Sequence, residues 1–177
     1  MGSRVLLVVD MLEDFINPAG SLYCGPAAGA IVPFVEGKIR EVLGDGGSVV
    51  FICDSHDRND AEFARFPTHC VRGTPGAEII APLRVAPADP SRVSIVRKTR
   101  YSGFHGTDLE GILERLNPAA VEVVGVCTNI CVLYTVEELC NRDYAVRVYR
   151  DGVASFDDGA AAWALDQMER VLGAQVV

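Results

Sequence analysis

Apolar residues along this chain fall into runs rather than alternating with polar ones. Strand-like segments rich in Val, Ile and Leu occur at 4–9, 48–53, 93–97, 121–126 and 145–149, with a weaker one at 174–176. Runs without polar alternation belong to strands buried on both faces, and such strands form parallel sheets covered by helices. Between them, helical periodicity is expected over about 29–44, 107–116, 129–142 and 158–172. The alternation predicts an α/β three-layer sandwich, a mostly parallel six-stranded sheet with helices on both faces. Thr107 with Glu110 has the spacing of a capping box, Asp157 or Asp158 can cap the last helix, and Asn117-Pro118 can end the second, before the fourth strand. The stretch 54–92 is weakly periodic and rich in Asp, Arg, Pro and Gly, and a loop that long in a compact domain usually has a function.

Length and composition narrow the reading. With 177 residues, 49% of them hydrophobic, a single domain spanning 1–177 is expected. A net charge of -8 argues against a nucleic-acid partner, whose phosphates attract clustered Lys and Arg. No apolar run approaches the roughly 18 residues that span a bilayer, and no signal-like segment opens the chain. A cytoplasmic location, no membrane partner and a small-molecule substrate are therefore expected, with the six cysteines reduced. Cys53 and Cys140 read as packing residues.

Three strand-like segments end near a reactive side chain: Asp10, Lys98 and Cys131. In a parallel sheet the carboxyl ends of the strands line one edge, where ligands bind. A carboxylate, an ammonium and a thiol meeting there are the parts of a nucleophilic amidase. Thr128 or Asn129 is expected to cap the helix after the fourth strand, placing Cys131 in its first turn, where the helix dipole and Lys98 would lower the thiol pKa. Taken alone, Cys127 and Cys131 could equally be two packed cysteines. A second group, Asp54, His56, Glu62 and His69, follows the second strand and suits a divalent transition metal such as Zn, Fe or Mn, although a run of solvated acids with incidental histidines has the same spelling. His105 reads as a loop residue. A glycine-rich dinucleotide loop after the first strand and a CxxC motif are both absent.

Five strings in order, LLVVDMLEDF, CDSHD, EFARFPTHCVRGTPGAEI, KTRYSGFHGTDLEGIL and GVCTNICVLYT, resemble the isochorismatase-like cysteine hydrolases, and within them the nicotinamidases. The resemblance spans residues 5 to 136. It implies a catalytic triad of Asp10, Lys98 and Cys131, and metal ligands Asp54, His56 and His69. Glu62 fits the version of the family with Glu as the remaining ligand. Of the divalent ions zinc is expected first, with iron or manganese as the other choices, and the resemblance further implies an aromatic wall of Phe15, Phe66 and Tyr101, where Phe66 replaces a common Trp. An oxyanion hole from the backbone N–H groups of Cys127 and Cys131, a cis peptide between Val126 and Cys127, and a homo-oligomer are implied as well. The activity implied is nicotinamide hydrolysis, a step of NAD salvage. Against it stand a related hydrolase of another amide, carbamoyl or ureido compound, a noncatalytic module of the same fold, and a thiol redox sensor.

Overall fold

A computed structural model describes residues 3–85 and 89–177. Its elements follow in the order β1 (Ser3–Val9), α1 (Glu13–Ile16), α2 (Pro26–Ala30), α3 (Val32–Gly44), β2 (Ser48–Asp54), β3 (Val93–Lys98), α4 (Leu109–Leu116), β4 (Pro118–Val126), α5 (Leu133–Asn141), β5 (Val146–Ala154), α6 (Asp158–Arg170) and β6 (Gln175–Val176). All six strands are parallel and stand in the order β3-β2-β1-β4-β5-β6.

The two-residue period of β1 explains why its whole run is apolar. Val5, Leu7 and Val9 point into one core, and Leu6 and Val8 into the other. The first core is closed by α4, α5 and α6 through Leu109, Leu113, Val136, Leu139 and Met168. The second is closed by α3 through Val35, Ile39 and Val42. Each of these side chains is fully buried, which at ~25 cal/mol per Å2 of apolar surface contributes about 1.5–3 kcal/mol per residue. The expected three layers follow.

Local differences have local causes. The helix expected over 29–44 is two helices, because Pro33 lacks an N–H and fits only the first turn of α3. Thr107 Oγ1 accepts from Leu109 N–H at 3.2 Å, but Asp108 occupies the cap position of α4, so the two-way capping box does not form. Asp157 caps α6 by accepting from Ala160 N–H at 2.9 Å. Asn117 ends α4 with a left-handed backbone, φ 44°. The described part of 54–92 is organised by short 3-10 turns and by bridges of Leu12 to Ile79 and His56 to Val71; residues 86–88 lie outside the described residues. No helix among the described residues is long and apolar enough to cross a membrane.

The order 3-2-1-4-5-6 reverses direction between β1 and β4, and ligands of open α/β sheets bind beyond the strand ends at such a point. There β4 comes so close to β1 that a Cβ on Gly125 would lie 2.0 Å from Val9 O, and its φ of 122° is open only to glycine.

Candidate active site

Asp10 leaves β1 in the left-handed region, φ 51°, a conformation that costs a non-glycine residue about 1–3 kcal/mol. Three hydrogen bonds of 2.8 Å hold it: its N–H to Ile52 O, its carbonyl from Leu12 N–H, and its Oδ1 from Asp54 N–H. Lys98 ends β3 in register with Asp54 at the end of β2. Its Nζ lies 2.8 Å from Asp10 Oδ2, pairs closely with Asp54 Oδ1, and donates to Cys131 Sγ at 3.5 Å. Asp10, Asp54 and Cys131 offer atoms within 4.8 Å of one another. Asp10 Oδ2 makes no aligned hydrogen bond despite the nearby ammonium, so it keeps a lone pair for an incoming proton. All four side chains are buried.

Burial, then the Asp54 charge, raises Asp10 to about 6 against the pull of Lys98. Burial also opposes ionisation of Asp54, but Lys98 and the two imidazoles hold its carboxyl well below the usual range. Lys98 stays firmly protonated, because the carboxylates of Asp10 and Asp54 outweigh its burial.

The expectation of an acidified thiol is overturned. Cys131 is held well above the ordinary thiol value by burial, with Lys98 pulling it down and Asp10 and Asp54 pushing it up. The expected cap also fails. Thr128–Val132 is a π turn whose N-cap is Cys127, with no side-chain cap. Thr128 Oγ1 is buried and unpaired, and Asn129 Oδ1 accepts instead from Ser155 Oγ at 2.6 Å. Cys127 O receives the N–H of both Ile130 and Val132, at 3.0 and 3.2 Å, so the wide turn replaces the expected first helical turn around Cys131. The Val126–Cys127 peptide is cis.

Asp54 also faces the second group. Its Oδ2 lies 3.6 Å from His56 Nε2 and 3.7 Å from His69 Nε2. His69 Nδ1 is within 2.7 Å of Pro67 O, which makes it the protonated nitrogen and leaves Nε2 a lone pair. His56 Nε2 is buried with no partner, as is Glu62 Oε2. Asp54, His56 and His69 form the tight cluster; Glu62 lines the same pocket but stands outside it. Three buried carboxylates, Asp10, Asp54 and Glu62, face one buried ammonium, so a divalent cation would restore neutrality. The donor set of carboxylate and imidazole fits a transition metal. Burial and the Asp54 charge raise Glu62, against the pull of His56, Lys98 and His69.

Asp10, Asp54, Glu62, His69 and Cys131 line one narrow pocket whose walls include Phe15, Phe66 and Tyr101. Phe66 and Tyr101 meet edge to face at 6.4 Å, and Phe15 leans on His69 at 5.4 Å. Val126 and Cys127 also line the pocket, as do Leu22, Ile130 and Phe156, which were not singled out in the sequence. Phe156 is 47% exposed at the pocket, a large aromatic on the loop before α6. Phe63, also missed, packs edge-on against both His56 and His69, at 5.3 and 5.6 Å. Cys24 Sγ lies 3.2 Å from Cys127 Sγ, a pairing that spacing does not reveal. His105 is exposed, as expected of a loop residue.

A family profile described as the isochorismatase domain matches residues 4–177. Among solved structures, nicotinamidase PncA from Bacillus subtilis is 34% identical, with a TM-score of 0.94 and 99% of each chain covered. Pyrazinamidase of Pyrococcus horikoshii, solved in complex with zinc, is 33% identical at a TM-score of 0.89, covering 99% of this chain and 98% of that one. N-carbamoylsarcosine amidase from Thermoplasma acidophilum is 32% identical at a TM-score of 0.87, covering 98% and 95%. With its sequence matched from β1 to the last residue and its sheet superposing over nearly the whole length, this chain belongs to the isochorismatase family.

Proposed function

We propose that this protein is a metal-dependent cysteine amidase that hydrolyses nicotinamide to nicotinate and ammonia through a thioester on Cys131. The chain is an amide hydrolase of the isochorismatase family. The observation that carries the finer reading is Asp54, which turns one oxygen to Lys98 beside the thiol and the other to the two imidazoles. A nucleophile and a cation site sharing one carboxylate suit a substrate with an amide and a second polar atom on one rigid ring. The aromatic walls suit a flat ring.

When bound at Asp54, His56 and His69, with Glu62 at hand, a divalent ion would supply a Lewis acid for the pyridine nitrogen. The protein's own groups perform the rest. At rest the proton sits on Cys131, since the thiol is raised and Asp10 is near 6. Asp10 accepts that proton as sulfur attacks the carboxamide carbon, and Lys98, 3.5 Å from Sγ, stabilises the forming thiolate. The backbone N–H groups of Cys127 and Cys131 serve the oxyanion, where loss of one donor is typically worth about 3 kcal/mol. Asp10 returns the proton to departing ammonia, and water then cleaves the thioester.

A substrate panel run across pH tests this reading. Nicotinamide and pyrazinamide should be turned over well ahead of N-carbamoyl compounds. Since Asp10 acts as base only when ionised, kcat/KM should fall about tenfold per pH unit below pH 6. A preference for N-carbamoyl compounds would transfer the site to the carbamoyl-amidase branch. A flat acid limb down to the ordinary carboxylate range would remove Asp10 as the base.

A further inference from the structure

Asp60 lies at the start of a 3-10 turn, Ala61–Ala64, and its side chain is only 8% exposed. Its two oxygens have separate duties. Oδ1 accepts from Glu62 N–H at 2.9 Å and from Arg100 Nη1 at 2.8 Å, which caps the turn and ties it to the chain just beyond Lys98. Oδ2 lies 3.1 Å from His56 Nδ1. An ionised carboxylate only accepts, so this contact requires the proton on Nδ1, and in the neutral ring the lone pair then sits on Nε2. That Nε2 is buried, has no hydrogen-bond partner, and faces Asp54 Oδ2.

We propose that Asp60 is a positioning residue for the metal site, fixing His56 in the tautomer that offers Nε2 and, through the cap on Glu62 N–H, holding that carboxylate in the same pocket. The inference rests on the metal reading above and extends it to a residue outside the ligand set. Outer partners of this kind typically change metal affinity 10- to 100-fold when removed.

The division of labour between the oxygens gives a test that separates positioning from plain structural support. In Asp60→Asn the carbonyl oxygen is held toward Glu62 N–H and Arg100, because turning the amide would set its NH2 against two donors. The NH2 then faces His56 Nδ1, which must become an acceptor, and the proton moves to Nε2. Asp60→Ala removes the cap and the Arg100 pair but leaves Nδ1 free to keep its proton. The expected orders are therefore opposite. In melting temperature, Asp60→Asn exceeds Asp60→Ala. In Zn2+ affinity, measured by competition with a chromogenic chelator, Asp60→Asn falls about 10- to 100-fold and further than Asp60→Ala. Nitrogen-15 NMR of metal-free protein, recorded above the imidazole titration, should show His56 Nε2 unprotonated in the wild type and protonated in Asp60→Asn. If Zn2+ affinity follows melting temperature, or if Asp60→Asn binds Zn2+ as the wild type does, Asp60 is structural only and the proposal falls. If His69→Ala also binds Zn2+ like the wild type, the metal reading itself fails, and the His56 tautomer alone then decides whether Asp60 orients the ring.

Discussion

Replacing Cys131 with Ala should lower kcat/KM for amide hydrolysis by about 10^4-fold or more, because the covalent route is lost and only binding and oxyanion stabilisation remain. The fold should tolerate the change. Cys131 is a neutral thiol at rest, so its removal takes no charge from the cluster of Lys98, Asp10 and Asp54. Cys131→Ser should be nearly as inactive despite its similar size, since a base near 6 is poorly matched to a serine hydroxyl. Ammonia release and a thermal melt on the same samples check both halves. Activity within tenfold of the wild type in a folded Cys131→Ala protein would remove the nucleophile from the scheme.

Lys98→Met should have the largest effect on stability. It keeps an apolar stem of similar length but strips two buried carboxylates of their shared cation, and breaking a buried ion pair in this way costs about 3–5 kcal/mol. For a chain of this size that is a fall of roughly 10 °C in melting temperature. Its pH dependence is diagnostic. In the wild type Asp54 is depressed, so its contribution is present above the unfolded carboxylate value of about 4 and is lost as pH falls through its own lower value. Asp10, raised to about 6, works in the opposite sense between about 4 and 6. Without the ammonium both carboxyls rise, the folded state binds more protons than the unfolded one, and the variant should regain stability as pH falls toward 4. Melts at several pH values measure it. A deficit that stays constant with pH would mean that Lys98 acts through packing rather than charge.

The sheet was legible in the sequence because strands covered on both faces carry no alternation to confuse, and β1, β2 and β4 fall where their apolar runs do. Asp10, Lys98 and Cys131 were legible for the same reason: each lies at or soon after the end of a strand, and parallel strands deliver their ends to one edge. The state of the thiol was not. Proximity to a lysine and a helix start suggested acidification, whereas complete burial beside two carboxylates raises it, and burial is a property of the assembled pocket. The cap at Thr128 or Asn129 was misread because Ser155, distant in sequence, takes up the Asn129 amide oxygen. Asp60 and Phe63 were passed over within a string of loop residues, since nothing in their spacing tells that one holds the imidazole of His56 and the other packs against it.

In the proposed scheme one chain joins a cysteine nucleophile to a cation site for the hydrolysis of nicotinamide. That scheme is tested most directly by stripping the purified protein of metal, restoring Zn2+, Fe2+ or Mn2+ in steps, and following bound metal and ammonia release from nicotinamide together. Stripped protein should be inactive, and activity should return in proportion to bound metal and saturate near one ion per chain. Full turnover by metal-free protein, or metal-loaded protein that releases no ammonia from nicotinamide, would contradict the scheme.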